Sequence, residues 1–219
     1  MSVVLLVRHG QASFGAEDYD RLSALGEEQS RLLGSSLAAR GMRPEVVVRG
    51  SMRRHRQTAA AAVAGAGWDL DMVEDAAWDE FDHLTTLTGS LASEDFGGLP
   101  YDEQVRRVEA SIDRWASGKH DDEYRESFPT FQARVSGAMS RLVAGLEPKE
   151  TAVVFTSGGP VSWVAASLVD GGVPTWARLS RVVLNSGVTK VLSGRRGTSL
   201  VSFNEHSHLE PDPDLITYR

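Results

Sequence analysis

The sequence predicts an α/β fold: a mostly parallel central sheet with helices on both faces, three layers in all. Three observations point there. Short apolar runs alternate with longer stretches of helical spacing. The first run, residues 3–7, is continuously apolar rather than alternating, as strands covered on both faces are. The chain has 219 residues and no cysteine, so a buried core must hold it without disulfides, and the length suits one domain, residues 1–219.

The elements follow in order. Residues 3–7 form a strand that ends in Arg8-His9-Gly10. Residues 23–40 read as a helix, because Leu25, Leu32, Leu33 and Leu37 fall on one stripe. Ser23 caps its start and Gly41 ends it. Residues 45–48 form a second strand. Residues 52–64 are rich in alanine and helical, closed by Gly65 and Gly67. Residues 70–73 form a weak third strand. From about 75 to 130 the chain is acidic, holds Trp78, Phe81, Phe96 and Trp115, and lacks strand runs. It reads as an inserted helical and irregular lid, with helices at 101–115 and, beyond it, at 131–146. Residues 151–155 form a strongly apolar strand. Ser157-Gly158-Gly159-Pro160 follows and opens a helix over 161–169, with Pro160 at its first position. Closing strands are expected at 182–184, 188–192 and 199–203.

Composition excludes several classes. With 23 Lys+Arg against 30 Asp+Glu the net charge is −7, which disfavours nucleic acid and anionic membrane as partners. Absence of cysteine removes thiolate nucleophiles, zinc fingers and iron–sulfur clusters. No apolar stretch approaches the roughly 20 residues of a membrane span. The N-terminal apolar run is too short for a signal peptide, so a cytoplasmic location is expected.

In open α/β sheets, ligands bind beyond the carboxyl ends of strands. Three clusters fall at such ends: Arg8-His9-Gly10, the stretch from Arg49 to Arg56, and Thr156-Ser157-Gly158-Gly159. If the sheet is parallel there, they converge on one crevice. Arg49, Arg53, Arg54 and Arg56 offer planar guanidinium forks suited to phosphate oxygens, and the glycine-rich helix start adds backbone donors. The opposing reading is a solvated, charged helix face.

Val7-Arg8-His9-Gly10 resembles the Arg-His-Gly signature of the histidine phosphatase superfamily, the phosphoglycerate-mutase-like proteins. Arg54-His55-Arg56-Gln57-Thr58-Ala59 resembles its second signature. The stretch from Leu22 to Gln29 resembles the helix start between them, with Ser23 for threonine. Trp78-Asp79-Glu80, Phe203-Asn204 and His208-Leu209 resemble later segments, so the likeness covers the whole chain. The resemblance implies that His9 attacks phosphorus and becomes phosphohistidine. It implies that Arg8 and Arg54 hold the phosphoryl oxygens, and that Glu80 protonates the leaving oxygen and then activates water. No metal or organic cofactor is implied.

Two departures matter. Members of the family usually carry a second histidine in a His-Gly step, where this chain has Ser157-Gly158. A hydroxyl is a neutral donor, and the loss of a charged one is worth about tenfold in rate. His206 and His208 are the candidates for replacing it. Gly158 and Gly159 read as leaving room for an imidazole at position 157, and Ser157 and Gly158 join Arg8 and Arg54 as expected phosphate-binding residues. The second departure is Gln11-Ala12-Ser13-Phe14-Gly15, which lacks the polar residues of the mutase segment.

The expected function is therefore a metal-independent phosphatase, hydrolysing a small phosphomonoester through phospho-His9. The alternatives, in descending order, are a catalytically weak phospho-ligand binding protein of the same fold, a phosphoglycerate mutase, and a serine hydrolase using Ser157, Asp170 and His206 or His208. Glu80 and His83, three residues apart, form half a di-metal pattern with no second copy, so no metal is expected. A homodimer is a candidate assembly.

Overall fold

A computed structural model of the chain describes residues 1–13, 20–82 and 98–218. His83, Phe96, Phe14 and Gly15, named above, lie outside the described residues.

The apolar runs become one mixed sheet of six strands, in the order β3-β2-β4-β1-β5-β6. β1 (Ser2–Arg8) lies at its centre, with Val4, Leu5, Leu6 and Val7 all 2% exposed or less. That burial on both faces is what a continuous apolar run requires. β4 (Thr151–Thr156) pairs with β1 in parallel and is buried along its whole length. β2 (Val46–Arg49) pairs in parallel with β4 and with β3 (Met72–Glu74). β5 (Val188–Gly194) runs antiparallel to β1 and to the edge strand β6 (Gly197–Glu205).

The helices form for the reasons expected. Helix α1 (Ala24–Ala39) begins where the Ser23 hydroxyl accepts from the Gly26 N–H, and Gly41 follows it with φ +74°. Helix α2 (Arg53–Ala66) ends at Gly67, which takes the left-handed conformation. Gly65 does not close this helix; it lies inside it, where a Cβ would stand 2.4 Å from the Arg31 carbonyl oxygen of α1. Its missing side chain lets α1 and α2 pack closely. Helices α3 (Tyr101–Ala116), α4 (Phe128–Gly145) and α5 (Gly158–Leu168) follow. Pro160 is the third residue of α5 rather than the first, still inside the turn whose N–H groups lack helical partners.

Two segments differ from expectation. Residues 182–184 are not a strand. The Asn204 side chain holds the Val182 carbonyl and the Leu184 N–H, and Arg8 holds the Val183 carbonyl, so these groups are unavailable to a ladder. Helix α6 (Gly172–Ser180) is not expected from the sequence, because Gly171, Gly172 and Pro174 read as breakers. Pro174 sits in its first turn, where proline costs no helical bond.

The described residues divide into two compact units: Met1–Asp79 with Val135–Arg219, and Glu80–Arg134. The first contains the sheet. The second has an aromatic centre of its own, with Phe81 stacked on Trp115 at 4.6 Å and Phe128 edge-on to Trp115 at 4.8 Å. Among the described residues no helix is long and apolar enough to cross a membrane.

Candidate active site

The register builds the crevice. Arg8 of β1 lies opposite Thr156 of β4, and Phe155 of β4 opposite Arg49 of β2. Three parallel strands therefore end side by side, and the chain leaves them at His9, Ser157 and Gly50.

His9 is 5% exposed. Its N–H donates to the Thr156 carbonyl at 2.8 Å, and its own carbonyl accepts from Asn185 Nδ2 at 3.1 Å. Nδ1 lies 2.7 Å from the Gly10 carbonyl, a pairing that needs the proton on Nδ1 and leaves the Nε2 lone pair open. Burial holds this ring well below the usual imidazole range, and the charges of Arg54 and Arg8 and the nearby His55 ring push it further down. It is a neutral imidazole at neutral pH. Gly10 permits the arrangement, since a Cβ there would fall 2.3 Å from the Gly26 carbonyl oxygen of α1. The Gly10 N–H donates to Thr58 Oγ1 at 3.0 Å, which ties this turn to α2.

Arg54 is 4% exposed, and Nη1 lies 2.8 Å from Asp20 Oδ1. The other Asp20 oxygen accepts from the Arg53 N–H at 2.7 Å, so one carboxylate caps α2 and orients Arg54. Arg8 donates from Nη1 to the carbonyls of Val183 and of Tyr218, the latter at 2.9 Å. The remaining basic residues divide. Arg49 pairs with Glu74 at 2.7 Å, and Arg56 is exposed, so the solvated-face reading holds for Arg56.

Ser157 is fully buried and caps α5 by position, yet its hydroxyl makes no bond to the helix. It lies 2.7 Å from His55 Nε2. His55 is also fully buried, with its ring centroid 5.8 Å from that of His9. His55 Nδ1 faces Asp79 Oδ1 at 3.5 Å. Asp79 accepts in addition from the Ser51 N–H at 2.6 Å and from its hydroxyl. Burial pushes the Asp79 carboxyl up, but the His55 ring and Ser51 outweigh it and hold the group below the usual carboxylate range. Gly50 makes room: a Cβ there would be 2.1 Å from His55 Nδ1.

Three expectations change accordingly. His55 Nε2 lies 2.7 Å from the Ser157 hydroxyl, so an imidazole at position 157 would meet the His55 ring. His206 and His208 do not replace the second histidine at Ser157; His206 Nδ1 bonds the Asn204 carbonyl and His208 Nε2 bonds Ser186. The histidine bonded to Ser157 is His55, not His206 or His208, which removes the serine–histidine pairing first considered. Gly158 lies against Arg8, whose Nε would be 3.7 Å from an added Cβ. Glu80 belongs to the second unit, where its Oε1 accepts from the Phe81 N–H at 3.2 Å. Among the described residues no cluster of His, Cys, Asp or Glu is placed to hold a metal ion.

His55, Asp79 and Asp20 carried no role in the sequence reading. His55 did leave a signal: it occupies the stripe 55, 58, 59 and 62 that α2 turns to the core, where a histidine is out of character. Asp20 left none, being one acid among many.

Comparison with known proteins bears on the family and the fold. The chain is similar to the 2,3-bisphosphoglycerate-dependent phosphoglycerate mutase of Thermobifida fusca, 40% identical over 74 residues, which are 31% of this chain and 30% of that one. The matched region thus spans less than a third of that relative's length. Among solved structures, an Entamoeba histolytica phosphoserine phosphatase mutant bound to phosphoserine superposes with a TM-score of 0.69 at 19% identity, over 95% of this chain and 100% of that one. A phosphoglycerate mutase from Bacillus anthracis gives 0.68 at 14% identity, over 95% of each chain. A mycobacterial glucosyl-3-phosphoglycerate phosphatase complexed with VO3 gives 0.66 at 20% identity, over 93% of this chain and 99% of that one. At such identities these structures establish the fold. The family model of the histidine phosphatase superfamily, branch 1, matches residues 4–206, nearly the whole chain, and with the Arg-His-Gly turn at the end of the central strand it makes this protein a member of that superfamily.

Proposed function

We propose that the protein is a phosphomonoester phosphatase that works through a phosphohistidine at His9. The observation that carries this reading is the His9 ring: buried, neutral, its Nδ1 committed to the Gly10 carbonyl and its Nε2 lone pair open beside two arginines. A neutral imidazole is a competent nucleophile near neutral pH.

In the first step Nε2 attacks phosphorus and the bond from phosphorus to the substrate oxygen breaks. Glu80 gives that oxygen its proton. In the second step water attacks the phosphohistidine, Glu80 takes the water's proton, and the phosphorus–nitrogen bond breaks to release phosphate. Arg54 and Arg8 offset the negative charge spread over the phosphoryl oxygens. Asp20 holds Arg54 in orientation and shares its charge with the arriving anion. The scheme uses no metal or organic cofactor. The substrate is a small phosphorylated metabolite.

A second reading, a phospho-ligand binding protein with little turnover, is favoured by one observation: a serine stands at the position where a charged donor is usual in the family. A panel of phosphomonoesters assayed on purified protein decides between them. Labelling with a reactive phosphodonor is expected to leave an acid-labile, base-stable phosphoryl group that His9→Ala abolishes. Labelling that persists in His9→Ala would remove His9 as nucleophile.

A further inference from the structure

We propose that Asp79, His55 and Ser157 form a proton relay in the crevice, through which the imidazole of His55 supplies positive charge to the bound phosphoryl group by way of the Ser157 hydroxyl. The proposal rests on the placement of that group beside His9 argued above. It makes the serine one half of a two-residue donor rather than a weakened substitute, with His55 as a positioning residue behind it.

The geometry fixes the logic. A hydroxyl has one proton to give. If Ser157 donates it to a phosphoryl oxygen, its own oxygen must accept from His55 Nε2, which is 2.7 Å away. His55 Nδ1 then faces the Asp79 carboxylate at 3.5 Å, where an N–H is favourable and a lone pair is repelled. Both ring nitrogens are then protonated, and the ring is an imidazolium between a hydroxyl and a carboxylate. With no anion bound, the proton balance shifts. The Ser157 hydroxyl donates to Nε2, Nδ1 keeps its proton toward Asp79, and the ring is neutral. The two states differ by one proton, taken up from solvent as the anion arrives.

The surroundings hold the three groups in place. Ser51 fixes both oxygens of Asp79, and Gly50 leaves the space in which His55 and Asp79 meet. Ser157 stands at a cap position without capping, so its hydroxyl is free of the helix. Charged or titratable groups near His55 among the described residues include His9 from the turn after β1, Asp79 from the turn after β3, and Arg53, Arg54 and Arg56 of its own helix turn. The neighbouring arginines disfavour a second positive charge, and an arriving dianion reverses that balance. Proton uptake is thereby coupled to anion binding.

The test uses tungstate, a phosphate-like dianion that carries no proton near pH 7. Isothermal titration calorimetry in buffers of different ionisation enthalpy reads the protons taken up on binding. The wild type is expected to take up close to one proton, and His55→Gln and Ser157→Ala to lose most of that uptake. With one phosphomonoester, each single variant is expected to lower kcat/KM about tenfold, and the double variant no further than either. His55→Ala/Ser157→His, which puts the imidazole where the hydroxyl was and vacates the space beside it, is expected to regain most of what His55→Ala loses. If His55→Gln does not fold, Asp79→Asn reads the same coupling. Uptake that persists in His55→Gln and vanishes in His9→Gln would overturn the relay, as would additive losses in the double variant. The calorimetry needs no turnover. Absence of phospho-His9 would count against the phosphatase reading alone, while normal phospho-His9 turnover in His55→Gln would count against the relay alone.

Discussion

Among the described residues of the first unit are two buried serine–histidine pairs, and they are built differently. At the crevice, His55 Nε2 meets Ser157 at 2.7 Å and its Nδ1 faces the carboxylate of Asp79. Beyond β6, His208 Nε2 meets Ser186 at 2.9 Å, but its buried Nδ1 has no hydrogen-bond partner among the described residues. Burial lowers His208 to about 4, against a smaller opposing pull from Glu205. His208 is therefore a neutral clip between the β6 end and the turn at Ser186. The comparison shows that a hydroxyl against an imidazole is not by itself a chemical device. In the proposed relay the Asp79 carboxylate facing Nδ1 is what lets the His55 ring gain a proton, and His208 Nδ1 has no such partner among the described residues.

The largest expected effect marks the boundary of the crevice. His9→Ala removes the proposed attacking atom, and turnover should fall by roughly 10³-fold or more in a steady-state phosphatase assay, with the fold intact by its melting curve. His208→Gln should leave the same rate within about twofold, since Gln can still reach Ser186.

The second effect concerns acid. A histidine whose folded pKa lies near 4 instead of 6.5 contributes stability in full above about 6.5, and loses it as the pH falls through 6.5 toward 4. The shift is worth on the order of 3 kcal/mol. Urea unfolding at pH 7 and pH 4 should show a smaller loss in His208→Gln than in the wild type. Equal losses would mean that His208 is not the buried neutral ring described.

Two glycines sharpen the contrast in packing. Gly50→Ala puts a methyl 2.1 Å from His55 Nδ1 and 2.6 Å from Asp79, and should cost about 1–3 kcal/mol along with activity. Gly158→Ala meets nothing closer than 3.7 Å, so its melting temperature should stay near that of the wild type. A smaller effect on rate than that of His9→Ala is the about tenfold fall in kcat/KM for His55→Gln, with His208→Gln as its internal control.

The sheet was legible because its central strands are buried on both faces, and a run such as residues 3–7 permits few other readings. Helix α1 was legible because Ser23 and Gly41 mark its ends. Residues 182–184 misled, since an apolar run says nothing about where its backbone groups are spent, and here Asn204 and Arg8 take them. At the site, Arg8-His9 and Arg54 stood out because charge at the end of an apolar strand is unusual. The pairing of His55 with Ser157 was hidden by a separation of 102 residues, which only the register of β2 against β4 closes. The stripe of α2 held the clue, in a histidine where alanine and threonine otherwise face the core.

The order of the sheet has a consequence for the making of the protein. β1 emerges first but is sandwiched between β4 and β5, which begin at Thr151 and Val188. The Arg8 side chain reaches still farther along the chain, to the Tyr218 carbonyl. At about 5–20 residues per second of synthesis, the most apolar strand waits on the order of ten seconds or longer for its first partner. Until then it is a bare hydrophobic edge, a natural target for holding chaperones and a risk for aggregation. His9 meanwhile has no Thr156 carbonyl to orient it. A nascent chain therefore carries His9, the proposed nucleophile, well before it gains the Thr156 carbonyl that orients it.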